Sequence, residues 1–267
     1  MKSEQYVLAT GDAGADRLHV VHLVHGADTA DLFRRLGDLR GKQIADIGCG
    51  IGAVSCFLAK VVGEEGKIWG IDQSEGQIAH AKQNAAKQGL QNTRFQTANA
   101  YATGLPKEAF DIAFCRFVLM HTQEPQRILT EMLSLLKPGG WLVVEDGDFT
   151  TPSSLPVVPA VERVMHYYRL AGQAQNADFE IGKHLHKMVI EAGANEVQAR
   201  LVQPAYLTGI EKRLPAWTLE EVQPYLLQHG LATETEIAET LQEVEQVIQD
   251  ESHLMTMVRV TQVWGRK

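Results

Sequence analysis

Between residues 42 and 62 an apolar run, KQIADI, breaks into Gly48-Cys49-Gly50-Ile51-Gly52 and resumes at once as the periodic stretch AVSCFLAKVV. Glycines at a strand-to-helix turn permit positive φ and let a ligand approach the backbone. The loop therefore predicts the first βα unit of an α/β sheet with a binding site at its tip. The rest of the first half repeats the alternation. Strand-like runs at 67–72, 92–99, 110–118 and 141–146 alternate with helical patterns at 76–88 and 124–136, the second stopped by Pro138-Gly139-Gly140. Strands alternating with helices of about a dozen residues indicate βαβ units and a parallel sheet. Crossovers are then right-handed, and ligands sit at the carboxyl ends of the strands where the strand order reverses.

The second half is less regular. Pro152, Pro156 and Pro159 punctuate its start, and VERVMHYYRLAG then reads as helix. HLHKMVIEAGA (184–194) is a further helix, EVQARLVQPAYL one long strand, and 215–251 is helical and polar on one face. LMTMVRVTQVWG (254–265) closes as a strand. The expectation is one domain over 1–267, with a helical cover at 1–40 and a cofactor-binding core at 41–150. Helical cap insertions are expected at 151–183 and 208–252, and the core's last helix and strands at 184–207 and 253–267.

Charge narrows the partners. The chain has 25 Lys+Arg against 33 Asp+Glu, a formal charge of −8, and a pI near 5.7. That disfavours a phosphate-backbone partner, so no nucleic acid is expected. Hydrophobic residues at 45% and charged residues at 22% describe an ordinary globular chain. No apolar run reaches the roughly 18 residues of a membrane span, so no membrane partner is expected. The first residues also lack the apolar region of a secretory signal. Cys49, Cys56 and Cys115 have no C-x-x-C spacing and read as reduced thiols of a cytoplasmic protein.

The loop alone is ambiguous. Gly48-x-Gly50-x-x-Ala53 also fits a dinucleotide fingerprint, and Asp72 at the end of the second strand suits a ribose diol in either reading. Asp46 separates the two. A carboxylate beside the loop attracts an ammonium group and repels a pyrophosphate; its bland role is to cap the turn. S-adenosylmethionine carries an ammonium, a sulfonium, a ribose diol and an adenine, and no phosphate.

The ordered set IADIGCGIG, IWGIDQS, Asn99-Ala100, FDIAFCRFVLMHTQEP and LKPGGWLVVED resembles the class I S-adenosylmethionine-dependent methyltransferases. It is most similar to their small-molecule branch, of ubiquinone-biosynthesis and natural-product type. The resemblance spans roughly residues 40–148 and is weak in the C-terminal strands. It implies a Rossmann-like seven-stranded sheet, mostly parallel with the last strand antiparallel, bearing helical caps. It also implies methyl transfer to O, N or C of a small-molecule acceptor by in-line displacement, with S-adenosylhomocysteine as product. Carried over by position, Gly48, Cys49 and Gly50 pass their backbone against the methionine and ribose portions, and Asp46 faces the ammonium. Asp72 takes both ribose hydroxyls, a charge-assisted contact, and Gln73 lies beside the adenine. Asn99 stands where the family usually has Asp, with Ala100 next to it; an amide oxygen still accepts from the adenine amino group. Arg116 faces the mouth and takes the methionine carboxylate or an acidic substrate, or else forms a surface ion pair. Tyr6, in a stretch (6–18) similar to the cofactor-covering segment of some members, closes over the cofactor or merely packs.

The acceptor side is less explicit. His121, after the fourth strand, is the candidate base, with a pKa near neutrality suited to it; the bland readings are a helix cap or packing under the cofactor. His22 and His25 reach the pocket from above or lie partly exposed. Glu145, Asp146 and Asp148 bind a cation or serve as loop and capping residues, and no metal site is assigned. His166-Tyr167-Tyr168 lines an acceptor pocket or forms a core stripe. The polar face of 234–250 is a solvated cap or a homodimer contact. The alternative function is an S-adenosylmethionine-binding protein of the same fold that does not methylate, and a nicotinamide dehydrogenase is a distant third.

Overall fold

The computed structural model describes residues 12–267. Ten strands and eight α-helices follow one another among those residues. Helix α1 (Asp12–Arg35) leads into β1 (Gln43–Ile47), α2 (Ala53–Val62), β2 (Lys67–Asp72), α3 (Glu75–Lys87) and β3 (Thr93–Thr97). Then come β4 (Phe110–Arg116), α4 (Pro125–Leu135), β5 (Leu136–Asp148), β6 (Ser153–Leu155), α5 (Pro159–Gln173) and α6 (Leu185–Glu191). The remainder is β7 (Asn195–Val202), β8 (Ala205–Tyr206), α7 (Leu214–Gln228), α8 (Glu234–Gln249), β9 (Leu254–Thr256) and β10 (Arg259–Arg266).

Seven strands form one sheet in the order β3-β2-β1-β4-β5-β10-β7. Strands β1 to β5 pair in parallel, and β10 runs antiparallel to both β5 and β7. This is the doubly wound α/β architecture the alternation predicted, and its order reverses between β1 and β4. Register makes that reversal a site. Ile47 pairs with Ile71 on one side and with Cys115 on the other, so the next residues, Gly48, Asp72 and Arg116, emerge at one level.

Period-two alternation gives the sheet two buried faces. Ala45, Ile47, Ala113, Cys115, Leu142 and Val144 pack against α4, α5 and α7. Ile44, Ile112, Phe114, Val143 and Trp264 pack against Leu32 and Phe33 of α1 and Leu58 and Val62 of α2. On this second face the alternation continues into polar residues at the carboxyl end: Asp46 after Ile44, Arg116 after Phe114, Glu145 after Val143.

Three expectations are corrected. The stretch 196–207 is two strands, because Pro204 has no N–H for the ladder and β8 turns away into a small sheet of order β6-β9-β8. The stretch 254–265 divides likewise: β9 joins that small sheet, β10 enters the large one, and the Met257 N–H between them bonds to the Pro204 carbonyl at 2.8 Å. The fifth strand also begins five residues early, at Leu136, running through Pro138-Gly139-Gly140 with a register irregularity between Phe110 and Ile112 that absorbs the break.

Candidate functional site

A cavity of about 250 Å³ opens at the carboxyl ends of β1, β2 and β4. Gly48, Gly50 and Gly52 all adopt positive φ there. At Gly48 a side chain would collide with Val118 Cγ2 besides being strained at φ 71°, so the loop lies flat against the end of β4. At Gly52 a Cβ would lie 2.9 Å from that of Ala81, which seats α2 on α3.

Of the residues singled out in the sequence, Asp46, Gly48, Cys49, Gly50, Asp72, Gln73, Asn99, Ala100, Arg116 and His121 all line this one cavity. Tyr6 lies outside the described residues; the adjoining stretch reaches the cavity through Arg17 and Leu18. Asp72 is oriented by two backbone donors, Gly50 N–H at 3.0 Å and Ser74 N–H at 2.9 Å, one to each oxygen. Each oxygen keeps lone pairs for further donors. Asp46 is 2% exposed and accepts from Ser55 Oγ at 2.5 Å. Burial lifts its pKa to about 6 against the opposing pull of Ser55 and Arg116. The Asn99 Oδ1 already accepts from the Tyr101 N–H at 2.8 Å, so among the described residues its amide nitrogen is the group left without a partner.

Arg116 is not the surface ion pair of the bland reading. Its Nη1 donates to Thr29 Oγ1 at 2.9 Å, and no carboxylate of the described residues lies within ion-pair distance. Thr29 in turn donates to Glu145 Oε2 at 2.7 Å, and Gln262 donates to the other oxygen of Glu145. Arg116, Glu145 and Gln262 are paired across β4, β5 and β10. The polar end of the sheet face is thus a row tied to α1, with the Arg116 guanidinium at its cavity end.

Glu145, Asp146 and Asp148 do not converge, since none of the three lines the cavity. Asp146, fully buried, accepts from the Met120 N–H at 3.2 Å and holds the turn Leu119–His121. Asp148 accepts from Arg259 at 2.8 Å and from Thr150 Oγ1 at 2.6 Å. His121 faces the cavity with its ring edge-on to Phe179, centroids 5.2 Å apart. Its pKa is about 3, through burial first and then the Arg17 charge. That corrects the expectation of an imidazole titrating near neutrality, because burial penalises the imidazolium.

Sequence reasoning missed several lining residues. Phe117 carries φ 54°, an outlier for an aromatic residue. That kink lets Arg116, Phe117 and Val118 in succession face the cavity, which a straight strand forbids. Gln77 is 3% exposed, and its Oε1 accepts no hydrogen bond among the described residues. His25, also 3% exposed, lines the cavity, the first of the two readings the sequence offers for it. Of His166-Tyr167-Tyr168 only Tyr168 lines the cavity; Tyr167 is core and His166 is exposed. Helical spacing from Ser74 points inward at Gln77, whereas nothing local marks Phe117.

With this geometry in view, the chain belongs to the methyltransferase-domain family, whose model matches residues 38–193. A demethylmenaquinone methyltransferase of Lactococcus lactis subsp. lactis (strain IL1403) is 31% identical over 144 residues, 54% of this chain and 55% of that protein. A ubiquinone biosynthesis O-methyltransferase of Coxiella burnetii (strain Dugway 5J108-111) is 33% identical over 128 residues, 48% of this chain and 53% of that one. The chain thus matches about half the length of these curated relatives. Among solved structures, Haemonchus contortus phosphoethanolamine N-methyltransferase 2, in complex with phosphomonomethylethanolamine and S-adenosylhomocysteine, superposes with a TM-score of 0.59 at 14% identity. That match covers 93% of this chain and 56% of the other. No helix among the described residues is long and apolar enough to cross a membrane.

Proposed function

We propose that this chain binds S-adenosylmethionine and directs its methyl group to O, N or C of a small-molecule acceptor in the cytoplasm. The observation that carries this reading is the meeting of Asp46 and Asp72 with a positive-φ glycine loop in one cavity. The donor set fits. Asp46 would take the ammonium with the oxygen Ser55 leaves free, Arg116 the carboxylate, and Asp72 the ribose diol. Gln73, Asn99, Ala100 and the unpartnered Oε1 of Gln77 would border the adenine. The named relatives, which are methyltransferases of quinone biosynthesis, support a small-molecule acceptor. Three buried free thiols support a reducing compartment.

When bound, S-adenosylmethionine supplies an electrophilic methyl group, so the protein's own task is alignment and exclusion of water. The glycine loop and Asp72 fix one end of the cavity. Phe117, Phe149, Met165 and Tyr168 line the other, apolar walls of the kind that hold organic substrates. His121 stays neutral at pH 7 and serves as a hydrogen-bonding wall group.

Calorimetric titration with S-adenosylmethionine and with NAD tests the cofactor; binding of NAD alone overturns the reading. Incubation of the bound protein with a metabolite mixture tests the reaction. Accumulation of S-adenosylhomocysteine is the expected result, and its absence beside tight cofactor binding favours the non-methylating alternative.

The Asp46 carboxyl sets a pH dependence. An ammonium requires the carboxylate, whereas burial keeps the free protein's Asp46 protonated below about 6. Cofactor affinity should be flat near pH 7 and fall toward tenfold per pH unit below 6, with proton release on binding near pH 6. His121 and His25 titrate near 3, so neither adds a limb in that window. Calorimetry in buffers of different ionisation enthalpy reads this directly; affinity unchanged from pH 7 to 5 removes Asp46 from the ammonium site.

A further inference from the structure

Helix α1 presents Leu18, Val21 and His25 to the cavity at helical spacing. Thr29, the next position on the stripe, accepts from Arg116 and donates to Glu145, which pins this face of the helix to the sheet. His25 is held from several sides. Thr29 Oγ1 also lies 3.1 Å from its backbone carbonyl, and its ring meets Phe117 edge-on at 5.0 Å. Among the described residues its Nδ1 has no hydrogen-bond partner, and none is formed by its Nε2. An imidazole buried without partners is costly to keep, and this one borders the cavity.

Its neighbours indicate which ligand it serves. The polar groups suited to the cofactor project from the carboxyl ends of β1, β2 and β4. His25 instead comes from α1 and touches Phe117, the first ring of an aromatic wall. Phe117 stands 6.4 Å from Phe149, and Phe149 5.1 Å from Tyr168. The Arg116 charge beside the imidazole repels a cationic amine and tolerates an acidic hydroxyl. A planar ring bearing a hydroxyl satisfies both the wall and the imidazole.

Resting on the methyltransferase reading above, we infer that His25 is an acceptor-recognition residue whose imidazole hydrogen-bonds the hydroxyl of a phenolic acceptor packed on Phe117, Phe149 and Tyr168. Burial and Arg116 keep the ring neutral, with a pKa of about 3. Its role is therefore to orient the hydroxyl, and proton removal is not assigned to it.

The probes are 4-nitrophenol and its hydroxyl-free analogue nitrobenzene, titrated with and without saturating S-adenosylhomocysteine into the wild type, His25→Leu and His25→Gln. The wild type should prefer 4-nitrophenol at least tenfold. His25→Leu should bring the two probes within twofold of each other while S-adenosylhomocysteine affinity stays within twofold of wild type. His25→Gln, which keeps a hydrogen-bonding group, should restore part of the preference. A preference that survives in His25→Leu overturns the inference. So does a wild type that binds neither probe, or a His25→Leu variant whose loss falls on S-adenosylhomocysteine. If the wild type ignores S-adenosylhomocysteine yet discriminates the probes through His25, the cofactor reading fails and the recognition role stands.

Discussion

Asp72→Ala should weaken S-adenosylmethionine binding by about 100-fold. Two losses add. The substitution removes the carboxylate proposed to hold both ribose hydroxyls, and charge-assisted hydrogen bonds are worth about 1.5–3 kcal/mol each. It also frees the Gly50 and Ser74 N–H groups that Asp72 now engages, so the glycine loop loses its strut to β2. Asp72→Asn keeps one oxygen acceptor and should fall between the two, about tenfold weaker than wild type by the same scale. Titration calorimetry measures all three, with thermal melts as the control for folding. An Asp72→Ala protein that binds within threefold of wild type would remove Asp72 from the ribose and the glycine loop from the cofactor.

Lys212→Met carries the largest expected cost in stability. Lys212 has no exposed surface, and its Nζ donates to three carbonyls: Leu207 at 3.1 Å, Asp250 at 2.9 Å and His253 at 3.2 Å. Its three donors are therefore matched by three acceptors. Asp250 caps the C-terminus of α8, where a cation is also favoured by the helix dipole. Methionine fills the space of the aliphatic stem and leaves the Leu207 and His253 carbonyls without a donor, whereas the Asp250 carbonyl keeps the His253 N–H at 3.2 Å. At about 1–3 kcal/mol for each buried group left unsatisfied, partly offset by relief of burying a charge, the loss should be about 3 kcal/mol. In a chain of this size that lowers Tm by roughly 10 °C. A melt within 2 °C of wild type would show that water or neighbouring donors replace the ammonium. Cofactor affinity at low temperature should not change, because Lys212 does not line the cavity.

The two residues differ in how well the sequence announces them. Asp72 ends an apolar run at a fixed distance from a glycine loop, so local pattern suffices to find it. The same holds for Asp46, Gly48 and the end of β4, where strand, loop and partner are contiguous in the chain. Lys212 sits in IEKRLPAW, a stretch indistinguishable from a solvated turn, and its acceptors lie up to 41 residues away. Glu145 presents the same difficulty over a longer range, since its partners Thr29 and Gln262 are 116 and 117 residues distant. Whether the three neighbouring carboxylates form one cluster therefore stays open in the sequence, and the strand directs them to separate partners. The sequence leaves His25 between two readings for a related reason: whether a helical histidine is exposed depends on what the far half of the chain lays over it. The glycine-loop end of the cavity was legible because it is built from βα turns. The aromatic end is assembled from α1, α5, α7 and the β9–β10 junction, and only tertiary contact brings them together.

Strand β10 fixes the order in which this molecule becomes whole. It lies between β5 and β7, and among the described residues β7 has no other neighbour in the large sheet. Until residues 259–266 have left the ribosome, the first five strands present a bare edge at β5 and the eight residues of β7 have no strand to join. The half that looks complete in sequence by Asp148 must therefore wait, with its edge unprotected, through more than a hundred further residues of synthesis. A chain truncated before residue 259 should be far less resistant to protease than the chain that includes β10.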